Sequence, residues 1–214
     1  MLKRLFGAAL QRVVLPVGGA IGRAGITPNM ITVLGFLVTL GAAAVIAQGR
    51  FLLGGLILIA GSVSDMLDGA VARATGKISK GGAFLDSVLD RLSDAAIFVA
   101  LIWWYTHGPA ANWAVTVENS ESYTASLGGT HQLGVQLATA GLILSLMVSY
   151  LRARAEGLGF TCNVGIAERP ERIFILCTGL ILDQMVPALA VLVVATAVTV
   201  VWRFVHVWRQ AQSA

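Results

Sequence analysis

Four aspartates fall within a 26-residue stretch of the 214-residue chain: Asp65, Asp68, Asp86 and Asp90. On helices, Asp65 and Asp68 at i,i+3 share one face and Asp86 and Asp90 at i,i+4 share another, each pair about 5–6 Å apart at Cβ. If two such faces meet, four hard oxygen donors converge, a ligand set that Mg²⁺ or Mn²⁺ prefers over Zn²⁺. Two ions ~4 Å apart would suit phosphoryl chemistry. Bulk is missing nearby: Gly69 and Ala72 follow Asp68, and Gly82 lies one turn before Asp86. A diphosphate or a neighbouring backbone can therefore approach closely, and Arg73 can add a charge-assisted phosphate contact.

These carboxylates sit at or near the ends of long apolar runs. There each costs about 2.5–3.5 kcal/mol even on lenient insertion scales, so several together call for a compensating cation. The whole chain is oily, with 57% apolar and 12% charged residues and a mean hydropathy of +0.80. Apolar runs at 29–48, 51–72, 82–106, 134–151, 173–186 and 187–208 predict six transmembrane helices, an all-α polytopic membrane protein forming a single domain over 1–214. Residues 1–22 place Leu2, Leu5, Ala9, Val13 and Val17 at helical spacing, with Lys3, Arg4 and Arg12 elsewhere, which suits an amphipathic helix lying on an anionic leaflet.

Six spans divide the loops into two sets, and of the 15 Lys and Arg residues only Arg50 falls on the second. The positive-inside rule then places both termini and the aspartates on the cytoplasmic side of a plasma membrane. The basic residues form short groups between apolar runs, which argues against nucleic acid as a partner. Cys162 and Cys177 have no spacing for zinc or a disulfide framework and read as free thiols. A cation transporter is the competing class, because carboxylates in spans often mark ion paths. Its aspartates should line a route through the bilayer, whereas these crowd one edge beside arginines.

The segment DMLDGAVARATGKISKGGAFLDSVLD fits DxxDGxxAR, eight residues, then GxxxDxxxD, with all eight fixed positions present: Asp65, Asp68, Gly69, Ala72, Arg73, Gly82, Asp86 and Asp90. It resembles the signature of the CDP-alcohol phosphatidyltransferase family. The resemblance implies a metal site of Asp65, Asp68, Asp86 and Asp90 holding Mg²⁺ or Mn²⁺, with Asp90 also acting on the acceptor hydroxyl. It further implies CDP-diacylglycerol as the donor, membrane lipids as surroundings and a homodimer. Similar segments in that family lie near the nucleotide, making Asn29 and Thr32 candidates for the CDP-lipid beside Asp68, Gly69, Arg73 and Gly82; Thr27 and Pro28 suit a helix cap.

Two further charged groups, SYLRARAE at 149–156 and ERPER at 168–172, bracket one cytoplasmic loop. Arginine forks suit a phosphate better than a neutral alcohol. The pairing resembles actinobacterial phosphatidylinositol phosphate synthases, and implies an acceptor pocket of Ser149, Arg152 and Arg172, with Arg154, Arg169 and Arg203 as further candidates. The expected acceptor is a phosphorylated polyol, inositol 1-phosphate first; the alternative is glycerol 3-phosphate, as in phosphatidylglycerophosphate synthases. Asp94 extends the Asp86, Asp90 stripe by one turn and is expected to orient the site rather than bind metal.

Overall fold

Thr27 starts the first helix: its Oγ1 accepts from the Met30 amide at 3.4 Å, and Pro28 occupies the first turn, where its missing N–H costs nothing. In the computed structural model of the protein, residues 25, 27–76, 78–108 and 121–213 are described. They form six helices: α1 (Pro28–Ala47), α2 (Phe51–Thr75), α3 (Lys80–His107), α4 (Glu121–Gly157), α5 (Arg169–Ile181) and α6 (Met185–Gln212). Helix α2 stops at Gly76, whose φ of 67° is left-handed, and α3 restarts under a Ser79 cap, Oγ accepting from Gly82 N at 3.0 Å. Two rigid helix ends thus flank the segment that links the aspartate pairs. The expected surface helix at 1–22 lies outside the described residues.

Helix α1 packs on α2 and α3, α3 on α4, α4 on α6, α6 on α5 and α5 on α2, which closes a ring. Ile46, Leu58, Ile97, Phe98, Leu101, Leu180, Leu189 and Leu192 fill its apolar part. Gly141 lets α4 approach α3, since a Cβ there would come within 2.7 Å of Phe98. Large apolar side chains such as Leu34, Leu56, Val194 and Val201 face outward. In water such a surface would be a liability, but in hydrocarbon it is the expected exterior. Four helices, α1, α2, the 131–157 part of α4, and α6, are long and apolar enough to cross a membrane. The chain is an all-helical membrane protein, with no strand among the described residues.

Two helix ends lie away from the ends of the apolar runs. Helix α4 begins at Glu121, ahead of its membrane-crossing part at 131–157, because its first turns are too polar for hydropathy to register. Between the last two helices the chain breaks at 182–184, where Asp183 has a φ of 53°. Pro187 sits inside the first turn of α6, a position that proline tolerates, so it marks a helix start rather than the break. Helix α5 has 13 residues, about 20 Å at 1.5 Å per residue, and is shorter than the bilayer core.

One face of α6 ties down the loop between α4 and α5. Thr199 Oγ1 accepts from the amides of Ile166 (3.2 Å) and Ala167 (3.1 Å), Arg203 Nε donates to Val164 O at 2.8 Å, and Gln210 exchanges hydrogen bonds with Thr161. Gly165 permits this contact: its φ is 130°, and a Cβ there would lie 2.5 Å from Thr199 Cγ2. Cys162 and Cys177 are free, as expected, and both are buried; burial pushes the Cys162 thiol up.

Candidate functional site

The helix-capping elements bring the predicted donor residues together. A cavity of about 290 Å³ is lined by Asn29 and Thr32 of α1, Asp68, Gly69 and Arg73 of α2, and Gly82 and Asp86 of α3, with Pro28, Ala72, Ile78, Ser79 and Ala83 completing it. Every residue expected at the CDP-lipid lies on this wall. Thr32 is buried and its hydroxyl donates to Asp68 Oδ2 at 2.7 Å, which fixes that carboxylate oxygen. The Arg73 guanidinium passes over Gly69, where a Cβ would lie 3.3 Å from Nη1, and a Cβ on Gly82 would sit 3.1 Å from Asn29 Oδ1. The small residues are thus the places of closest approach.

A second cavity, about 460 Å³, shares Ala83 and Asp86 with the first and continues past Asp90 and Asp94 to Ser149, Arg152, Arg169, Arg172 and Arg203. Five of the six expected acceptor residues line it. Arg154 does not: it is exposed and borders neither cavity, because it lies two residues from Arg152 on a helix and so faces elsewhere.

The arginines of this cavity are mostly engaged by the protein. Arg172, 3% exposed, donates from Nη2 to Asp94 Oδ2 and from Nη1 to Ala167 O at 3.3 Å. Arg203, 2% exposed, reaches Val164 O and Val148 O, with Glu168 Oε1 at 3.8 Å. Arg152 pairs with Glu156 at 2.9 Å on the cavity rim. Arg169, also expected at the acceptor phosphate, lines the same cavity and lies against the signature aspartates. Its Nη1 lies 2.6 Å from Asp65 Oδ2 and 2.6 Å from Asp90 Oδ1, and its Nε 3.5 Å from Asp94 Oδ1.

The four signature aspartates converge, but not through direct packing of their helices. Helices α2 and α3 share no extended seam; each packs against α1, and the space between them is where the two cavities meet. Like charges so close would drive packed helices apart, whereas a gap admits a cation. Asp68 lies within electrostatic reach of Asp65 and Asp86, and Asp90 within reach of Asp65, Asp86 and Asp94. Asp65 Oδ2 and Asp90 Oδ1 already share one positively charged nitrogen. An all-carboxylate donor set that draws a guanidinium between its oxygens fits hard divalent ions. Among the described residues no three side chains are drawn into a closed metal cage, in keeping with carboxylates turned toward an arginine.

Asp94, expected to orient the site from one turn beyond Asp90, anchors Arg172 and touches Arg169. Two further participants were not among the expected site residues. Glu156, four residues after Arg152, is legible from that one-turn spacing. Glu168 approaches Arg203 from a distant part of the chain and leaves no local signal.

Comparison with known proteins agrees with this geometry. The CDP-alcohol phosphatidyltransferase family profile matches residues 25–201. An archaetidylinositol phosphate synthase of Pyrococcus horikoshii is 44% identical over 161 residues, covering 75% of this chain and 72% of that one. A phosphatidylinositol phosphate synthase of Mycobacterium tuberculosis is 33% identical over 211 residues, covering 94% and 88%. Among solved structures, Mycobacterium tuberculosis phosphatidylinositol phosphate synthase with CDP-DAG bound superposes with a TM-score of 0.76 at 29% identity, over 92% of this chain and 94% of the other. The same enzyme in complex with manganese and citrate also gives 0.76, at 30% identity over 92% and 89%. With the profile covering most of the chain and all four aspartates, the chain belongs to the CDP-alcohol phosphatidyltransferase family.

Proposed function

We propose that this protein transfers a phosphatidyl group from CDP-diacylglycerol to inositol 1-phosphate, releasing CMP and forming phosphatidylinositol phosphate. The observation that carries the reading is the placement of four carboxylates where two cavities join, one bounded by small residues and Arg73, the other by arginines. The first cavity takes the CDP head, with Asn29 and Thr32 beside the nucleotide and Arg73 at the diphosphate. The second takes the phosphorylated polyol, with Ser149 and Arg152 on its wall. Mg²⁺ or Mn²⁺, two ions held by Asp65, Asp68, Asp86 and Asp90, would supply charge neutralisation for the diphosphate and the departing CMP.

Asp90 lies on the acceptor side of the junction and accepts the proton of the attacking hydroxyl. That hydroxyl oxygen forms a bond to the lipid-bearing phosphorus while the bond from this phosphorus to the CMP oxygen breaks, in line. Inositol phosphate is preferred over glycerol 3-phosphate because the relatives above differ in the lipid of their names, archaetidyl or phosphatidyl, yet agree on inositol phosphate. Purified protein given CDP-diacylglycerol with inositol 1-phosphate or glycerol 3-phosphate in parallel, with and without Mg²⁺ or Mn²⁺, tests the assignment. Metal-dependent CMP release with a phosphatidylinositol phosphate product is expected; preference for free inositol, serine or glycerol 3-phosphate would refute the acceptor.

The same reading makes 1–214 one membrane domain with six crossings, an N-terminal surface helix, cytoplasmic termini and a homodimeric assembly in the plasma membrane. The positive-inside asymmetry supports the orientation. An impermeant thiol reagent on intact cells should label Arg50→Cys and spare Ser79→Cys, and the opposite pattern would invert the topology.

A further inference from the structure

Among the described residues, Arg169 is the arginine with the most carboxylate neighbours, Asp65, Asp90 and Asp94. It stands at the start of α5, yet one of its nitrogens bridges Asp65 of α2 and Asp90 of α3, two helices with no extended seam of their own. Asp94, its third carboxylate neighbour at 3.5 Å, has Arg172 as its close partner. Arg169 is therefore not required to neutralise Asp94. Its short contacts are with two carboxylates that the proposed function gives to divalent ions, and a guanidinium cannot occupy the same oxygen lone pairs as a metal. Arg169 also lines the 460 Å³ cavity, so its long side chain has adjacent polar space to enter.

We propose that Arg169 is an exchangeable counter-cation. It holds Asp65 and Asp90 together while the centre lacks divalent ions, it competes with those ions for the carboxylates, and it is released toward the acceptor cavity when they bind. This inference rests on the metal-binding reading of the four aspartates. The consequence is an order of events: the guanidinium becomes available to an acceptor phosphate only after the metal has displaced it. The same exchange explains how α2 and α3 stay in register without packing against each other. Five carboxylates, Asp65, Asp68, Asp86, Asp90 and Asp94, facing three arginines, Arg91, Arg169 and Arg172, leave the centre negative even with Arg169 in place, so divalent ions are still attracted to it.

The test uses the full chain in detergent or nanodiscs, stripped with EDTA, with Mn²⁺ itself as the probe. Free Mn²⁺ is followed by electron paramagnetic resonance, and thermal unfolding is recorded with and without the ion. Arg169→Gln should bind Mn²⁺ at least about tenfold more tightly than the wild type, because its competitor is gone. Arg152→Gln, which removes a cation of the same cavity that does not touch Asp65 or Asp90, should shift affinity by less than about threefold. EDTA should lower the Tm of Arg169→Gln more than that of the wild type, since its carboxylates are left uncompensated. Arg169→Lys, which keeps the charge without the fork, should fall between them.

Equal or weaker Mn²⁺ binding by Arg169→Gln overturns the exchange while leaving the metal reading intact. A wild type that binds no Mn²⁺ overturns the metal reading and the exchange with it. If Arg169→Gln survives purification only with Mn²⁺ present, the counter-cation role is supported. Aggregation whether or not Mn²⁺ is present would make Arg169 a plain structural ion pair and refute release.

Discussion

The two cavities differ in how their polar groups are committed. In the smaller one, Arg73 and Asn29 are both exposed on the cavity wall, so these groups face incoming ligand. In the larger one, Arg172 and Arg203 are buried and spend their hydrogen bonds on Asp94 and backbone carbonyls. A cluster of arginines is therefore not one binding site with interchangeable members. Some guanidiniums fix the loop between α4 and α5 on the bundle, and others are free to meet a phosphate.

The junction between the cavities should show the largest effect. Asp68→Asn, Asp86→Asn and Asp90→Asn are each expected to cut CMP release by about a hundredfold or more, with insertion and purification unchanged. Wild-type turnover in any of them would remove that aspartate from the chemistry and leave the cavities as unrelated hollows.

The next test separates the arginines. Arg172→Gln strands Asp94 without its buried partner and should cost about 3–5 kcal/mol of stability, seen as a lowered Tm or denaturant midpoint. Arg152→Gln loses only a half-exposed pair, worth roughly 0–1 kcal/mol, but should raise the KM for the phosphorylated acceptor about tenfold, the equivalent of one charge-assisted contact. A KM effect without a stability change in Arg172→Gln would erase the distinction between scaffold and ligand arginines. Combining Arg172→Gln with Asp94→Asn should cost less than the sum of the two, because they share one contact.

On the donor side, Thr32→Val removes the hydroxyl that donates to Asp68 at 2.7 Å. The loss of about 1–2 kcal/mol should appear as a roughly tenfold lower kcat/KM for CDP-diacylglycerol. Acceptor KM should stay the same; if it moves equally, the cavities do not divide the substrates. The smallest effect is expected from Arg154→Gln, which borders neither cavity and should keep wild-type acceptor KM within about twofold.

Hydropathy and spacing made the helices and the signature aspartates legible. Asp65 with Asp68, and Asp86 with Asp90, are local pairs on regular helices, so 3.6-residue periodicity alone places each pair on one face. Thr27 and Pro28 announced a helix start by the same local logic. Helix α4 escaped at its N-terminal end because a helix leaving the membrane loses its apolar signal while keeping its hydrogen bonds. The Pro187 boundary misled because proline stops a helix from one side only: it is excluded from interiors yet welcome in a first turn.

The commitments of the arginines were beyond the sequence. Nothing local distinguishes Arg152, which faces the larger cavity, from Arg154, which does not, until the helix is set against its neighbours. The bridge from Arg169 to Asp65 and Asp90 spans separations of 104 and 79 positions and depends on the closure of six helices into a ring. Composition and periodicity determined that the chain lives in a membrane, that its helices carry carboxylates in pairs and that those carboxylates need a cation. Only the tertiary structure decided which cation stands between them and which arginines are spent on the scaffold, because pairing between remote side chains is set by how helices pack and not by their spacing along the chain.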